Sequence, residues 1–125
     1  PRFETKLLPV SPEVTAPDGS DVRILLALAG GSMAHFTLGA GNVSKAVKHK
    51  TVEEIWYVLS GSGEMWRADD QGEAVTVLKA GLCLTIPCGT RFQFRSLGPG
   101  DLQAAAITMP PWPGEGEAEF VDGKW

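Results

Sequence analysis

The sequence predicts an all-β protein, a sandwich or barrel of short antiparallel strands in a single domain, and three observations predict it. Short apolar runs rich in β-branched and aromatic residues recur along the chain, each closed by a Gly- or Pro-containing turn. No longer stretch keeps the i, i+3, i+4, i+7 apolar spacing of a helix without a Gly or Pro close by. The 125 residues include 15 Gly and 9 Pro, enough punctuation for many turns in one domain. A chain this long buries roughly two-thirds of its unfolded surface on folding and needs no covalent staple.

The elements follow in order. Residues 22–29 are apolar with one Arg, and 33–38 follow Gly30-Gly31. Residues 43–48 are a weaker candidate. Residues 54–59 carry Ile55, Trp56, Tyr57 and Val58, the strongest β text in the chain. Residues 64–67 follow Gly61-Ser62-Gly63, 74–78 follow the turn at 69–72, and 82–86 stop at Pro87. Residues 91–96 come next, and 102–108 follow Gly98-Pro99-Gly100. Strands at this regular spacing suit a sandwich or barrel, here with a core over about residues 22–109. Residues 1–20, with Pro9, Pro12 and Pro17, and residues 110–125, opening Pro110-Pro111-Trp112-Pro113, are expected as extended surface segments, because proline cannot join a central strand. We read residues 1–125 as one domain.

Charge and cysteine usage narrow the function classes. The net charge is −4 with no basic stripe, so nucleic acid is not an expected partner. The longest apolar run, residues 24–29, is far too short to span a membrane, and Pro1-Arg2-Phe3-Glu4 has no apolar signal core. Cys83 and Cys88, if joined by extended chain, lie roughly 16 Å apart at about 3.3 Å per residue, beyond disulfide reach. Two free thiols and a cytoplasmic location are expected.

Two spaced frames carry a resemblance. Gly41 is followed by five residues, then Val47-Lys48-His49, four residues, Glu54, six residues and Gly61. Gly81 is followed by five residues, then Pro87-Cys88-Gly89, two residues, Phe92, three residues and Ser96. In order and spacing these resemble the paired motifs of the cupin superfamily, and the text EEIWYVLSGSGEMW resembles a cupin strand pair joined by a Gly-rich turn. The resemblance implies a small single-domain antiparallel cupin, or jelly-roll, β-barrel with one internal pocket. It also implies a homodimer, since the family often pairs through barrel edges and terminal strands. Typical members hold a divalent metal at four motif positions, which here are Val47, His49, Glu54 and Phe92. Only His49 and Glu54 can ligate, so no cofactor is expected beyond a weakly held divalent metal. His35 and Cys83 are candidates to complete a ligand set if they point inward, a direction the sequence leaves open.

Strand alternation then sets the pocket. If Glu54 faces inward, so do Trp56 and Val58; Val47 and His49 share a face, and so do Phe92 and Phe94, leaving Gln93 and Arg95 on the other. Glu54 and His49 thus read as a carboxyl and an imidazole in an apolar cup. Burial moves such a pair toward neutrality, where general acids and bases work best. The expected function is metal-independent acid–base chemistry (isomerase, epimerase, dehydratase or decarboxylase) on a carbonyl or sugar-like metabolite, with Glu54 and His49 as the catalytic pair. Two alternatives stay open: a non-catalytic ligand-binding or sensor cupin, and a metal-dependent oxygenase or lyase with an unorthodox ligand set. More ordinary roles stand beside these. Glu54 could pair with Arg67, Arg91 or Arg95, His49 between two lysines could sit at the barrel mouth, and Tyr57 and Trp66 read as packing residues. Cys88, inside Pro87-Cys88-Gly89 and near Arg91, is a reactive-thiol candidate.

Overall fold

Side chains alternate across a pleated strand, so a chain of amphipathic strands buries one face of each by closing two sheets on each other. A computed structural model describes residues 2–125 and shows this arrangement; Pro1 lies outside the described residues. The strands are β1 (Val14–Thr15), β2 (Asp21–Leu28), β3 (Gly31–Leu38), β4 (Val47–His49), β5 (Glu53–Ser60), β6 (Ser62–Asp69), β7 (Gly72–Lys79), β8 (Cys83–Ile86), β9 (Arg91–Ser96), β10 (Leu102–Met109) and β11 (Ala118–Phe120). They form a six-stranded sheet, β1-β2-β3-β10-β5-β8, and a five-stranded sheet, β11-β4-β9-β6-β7. All pairs between named strands are antiparallel. No helix of the described residues is long and apolar enough to cross a membrane.

The nine expected strands form close to their expected bounds, and the weak candidate at 43–48 shrinks to β4. Two strands were not expected. β1 lies in the amino-terminal segment and β11 in the carboxy-terminal one, so neither segment simply runs over the surface. Asp18 and Ser20 are buried in the first, and Glu117 is buried in the second.

The core lies between the sheets. Trp56, Val58, Met65, Leu78, Ile86, Phe92 and Phe94 are almost fully buried there, with Val47 beside them. Burial of each such side chain contributes about 1.5–3 kcal/mol. A smaller cluster of Ala46, Trp66 and Ala68 lies beneath Val121 and Trp125 of the carboxy-terminal segment. That segment explains why Gln93, on the outward face of β9, is buried. Its Nε2 donates to the Ser44 and Trp125 carbonyls, and its Oε1 accepts from the Lys124 and Trp125 amides. At the β5–β6 turn, Gly61 adopts φ +86°, and a Cβ there would collide with the Asp101 carbonyl.

Register fixes which side chains enter the barrel. Val22, Phe36, Ala104 and Val58 form one row across the six-stranded sheet and face inward. The next row, Arg23, His35, Ala105 and Tyr57, faces outward. Tyr57 is therefore 50 % exposed, not a packing residue as expected, whereas Trp66 does pack. Met33, Ile55, Leu59 and Ile107 share the outer face with Tyr57 and are also exposed.

Candidate functional site

Glu54 is the second residue of β5, and the sheet surrounds it. It stands in a row of Ser32, Thr108, Glu54 and Ile86 across β3, β10, β5 and β8. The side chain is only 4 % exposed, and both oxygens are engaged. Oε1 accepts from Trp56 Nε1 at 3.1 Å, a contact that the shared face of residues i and i+2 makes possible. Oε2 accepts from Thr108 Oγ1 at 2.6 Å. None of Arg67, Arg91 and Arg95 pairs with Glu54. Arg67 is spent on the Thr85 carbonyl and Thr76, and Arg95 on Glu64 and the Trp125 ring. Glu53, its neighbour, is exposed.

His49 ends β4 on the opposite sheet and is 6 % exposed. Its ring meets Phe92 edge-on at 5.3 Å and Trp112 edge-on at 5.2 Å. Nδ1 is buried without a hydrogen-bond partner. Trp112 reaches this position because the chain folds back after β10, with its amide donating to Ser32 Oγ at 2.9 Å. Val47, Trp56, Val58, Phe92 and Phe94, expected as pocket walls, are all buried in the main core cluster. Sequence reasoning missed Phe36, which stacks on Trp56 with ring centroids 5.1 Å apart, and Trp112 as the cover over His49.

It also missed Asp18, which lies in the turn between β1 and β2. Oδ1 accepts from the Ser20 amide at 2.9 Å and the Ser20 hydroxyl at 2.6 Å, and the Asp18 carbonyl accepts from the Lys45 amide. Burial pushes this carboxyl above the usual carboxylate range, and the Ser20 hydrogen bonds oppose that. The charge of Glu54 adds to the rise and that of His49 counters it.

The loop between His49 and Glu54 is clamped. Glu117 accepts from the Thr51 amide, the Thr51 hydroxyl and the Val52 amide, while its carbonyl takes the Lys50 amide. Burial alone would raise the Glu117 carboxyl, but these donors outweigh it and hold it below the ordinary range. Cys88 is exposed, and its Sγ lies against the Lys50 and His49 carbonyls at 3.2 and 3.7 Å. Both are acceptors, so Sγ is placed to donate to the loop between His49 and Glu54. Cys83 is free and exposed; His35, in the outward row, is nonetheless 3 % exposed with its Nδ1 unpartnered, and neither joins His49 and Glu54. Burial, then the Arg23 charge, holds the His35 imidazole below its usual value.

The profile of the Cupin domain family matches residues 34–108, more than half of the chain. The chain belongs to the cupin family. No curated protein sequence matches it. Among solved structures it is similar to CapF of Staphylococcus aureus, a capsular polysaccharide assembling protein, with a TM-score of 0.75 at 16 % identity over 86 % of this chain. The chain spans 33 % of CapF. KdgF from Halomonas sp. gives a TM-score of 0.71 at 16 % identity, covering 88 % of this chain and 97 % of that one. Streptomyces PAC13, solved with uridine, gives 0.71 at 16 % identity over 95 % of this chain and 92 % of its own. At these identities the likeness shows the shared cupin fold.

The divalent metal of typical cupins can be tested against the donors present. A transition metal needs about three or four N, O or S ligands. In this cupin Val47 and Phe92 fill two of the four family positions with buried hydrocarbon. Both oxygens of Glu54 are committed to Trp56 and Thr108. Among the described residues no group of three or more His, Cys, Asp and Glu side chains could hold a metal ion. The donor set does not fit the family metal.

Proposed function

We propose that this cupin is a small-molecule-binding protein of the cytoplasm that acts as a metal-independent acid–base enzyme on a neutral carbonyl or sugar-like metabolite, with Glu54 and His49 handling the proton. The observation that carries this reading is the burial of both groups inside one barrel. A carboxyl and an imidazole with an unpartnered Nδ1 are buried among Phe36, Trp56, Phe92, Phe94 and Trp112, where the structural core alone needs neither. Aromatic walls suit the apolar face of a sugar or a planar ring, and the polar pair suits its hydroxyl or carbonyl. Isomerase, epimerase, dehydratase and decarboxylase reactions all need that proton transfer. The relatives point to the same screen: CapF is a capsular polysaccharide assembling protein and PAC13 was solved with uridine.

One observation favours a second reading, a binding or sensor module without turnover. Both Glu54 oxygens already accept hydrogen bonds from the protein, so the carboxyl is satisfied without a ligand. The test is Glu54→Gln, with binding followed by calorimetry and turnover by product analysis on a panel of neutral sugars, nucleosides and carbonyl acids. In the enzyme, turnover falls by about 10²-fold or more while binding survives. If no panel member turns over in the wild type but one still binds, the module reading stands. The homodimer belongs to the same proposal. The exposed row of Met33, Ile107 and Ile55, with Tyr57 and Leu59 beside it, is an apolar face that a second copy would cover.

A further inference from the structure

We propose that the indole of Trp112 fills the ligand's place over His49, and that the strap carrying it swings out to admit a flat, uncharged ring. The inference rests on reading Glu54 and His49 as a ligand site, and it adds the entrance and the shape of the ligand. Trp112 touches both sheets at the barrel mouth. Its ring stands edge-on to the ring of His49 at 5.2 Å, on β4 of the five-stranded sheet. Its amide donates to Ser32 Oγ at 2.9 Å, on β3 of the six-stranded sheet. Ser32 is the register partner of Thr108, and Thr108 is the partner of Glu54 and donates to its Oε2 at 2.6 Å. One residue therefore contacts the imidazole and the row that holds the carboxyl.

The strap is lightly held between two firm ends. β10 fixes the chain up to Met109, and Glu117 fixes it again through Thr51, Val52 and the Lys50 amide. Between them, among the described residues, the bond from Trp112 to Ser32 is the one hydrogen bond made by residues 110–116. Gly114 and Gly116 adopt left-handed backbone, φ +109° and +84°, with open space where a Cβ would stand, so the turn is free to swing. Two rings pack on His49, and they differ in freedom. Phe92 is 1 % exposed in β9, between β4 and β6, and cannot leave. Trp112 is 37 % exposed. Among the described residues its indole N–H has no partner, whereas those of Trp56 and Trp66 donate to Glu54 and Glu73.

Opening the strap leaves a slot the size of an indole against His49 and releases Ser32 Oγ. What leaves is a neutral ring and a neutral amide, so what fits in their place is a neutral ring with one hydrogen-bond donor. A flat ring edge-on to the imidazole restores the aromatic contact, and its N–H or O–H replaces the Trp112 amide on Ser32. Strap and ligand compete for one place. The apparent affinity is therefore reduced by the fraction of molecules in which the strap is open.

The experiment titrates indole into protein carrying nitrogen-15 histidine and follows the ring signals of both histidines by NMR, for the wild type, Trp112→Ala and Ser32→Ala. His49→Asn assigns the signals, and His35, in the outward row, is the internal reference. In Trp112→Ala, indole is expected to move the His49 signals saturably and leave those of His35 in place, with an affinity about tenfold or more above that of the wild type. Ser32→Ala, which keeps the indole but frees its amide, is expected to fall between them. His49 signals that stay unmoved in folded Trp112→Ala, or that move with equal affinity in the wild type, would overturn the proposal. Should Trp112→Ala not fold, Ser32→Ala against the wild type decides by the same comparison. The titration needs no turnover. If indole seats on His49 as expected while no panel compound reacts, the enzyme reading fails and this one stands.

Discussion

The sequestration of Glu54 can be tested by removing one donor, Thr108→Val. The change is nearly isosteric and deletes the hydroxyl that donates to Glu54 Oε2 at 2.6 Å. Both residues are buried, Thr108 at 5 % and Glu54 at 4 % exposure, so water has little room to replace the lost donor. Leaving a buried acceptor unsatisfied costs about 1–3 kcal/mol. The bond is short, at 2.6 Å, which places the expected loss in the upper half, about 2–3 kcal/mol. A domain of this size has about 5–15 kcal/mol in total, so the effect is easily read as a drop in the urea midpoint at constant slope. Thr108→Ser keeps the hydroxyl and should lose far less. A cost below about 0.5 kcal/mol for Thr108→Val would mean that water already serves Glu54, and the picture of a desolvated carboxyl in an aromatic cup would be wrong.

Three further outcomes are expected. Gln93→Leu deletes all four hydrogen bonds that fasten Ser44, Lys124 and Trp125, so hydrogen exchange should speed up at the carboxy-terminal segment first, with a stability loss of about 2–4 kcal/mol by urea titration. Glu117 has a depressed folded value, so its contribution is fully present above the unfolded carboxylate value and is lost as the pH falls through the lower folded one. The wild-type urea midpoint should therefore decline on acidification more steeply than that of Glu117→Gln. Ile55→Asp puts a charge at the β5 end of the exposed Met33, Ile107 and Ile55 row, beside Tyr57, and should convert a dimer to a monomer in sedimentation velocity without lowering the thermal midpoint of the monomer. A wild type that sediments as a monomer at all concentrations would remove the dimer from the proposal.

The parts of this fold that were legible in the sequence are those fixed by period and spacing. In β5 the alternation is clear enough to place Glu54, Trp56 and Val58 on one face, and the structure buries all three. The same parity puts Tyr57 outward with Ile55 and Leu59, so the signal was present and the packing role expected for Tyr57 ran against it. β1 and β11, of two and three residues, have no period of their own, and each forms only because another strand offers an edge. Gln93 shows the same limit: alternation turns it outward correctly, but a segment about thirty residues later buries it. His35 was undecidable from sequence because its strand is apolar or small on both faces, and register against β2 and β10 settles it.

The candidate site was legible only where a motif named a position. His49 and Glu54 could be found because spacing to Gly41 and Gly61 marks them. Asp18 belongs to no frame, and a short Pro-Asp-Gly-Ser turn reads as surface. It is buried because the turn between β1 and β2 packs against the chain entering β4, where the Lys45 amide donates to the Asp18 carbonyl. This matters for interpreting a cupin that has lost part of its ligand set. Valine and phenylalanine at two family metal positions offer no ligand atoms, and a sealed, partnerless imidazole Nδ1, present at both His35 and His49, costs about 1–3 kcal/mol that an apolar residue would not. The function proposed above therefore rests on His49 Nδ1, buried without a partner between Phe92 and Trp112, and on the buried carboxyl of Glu54.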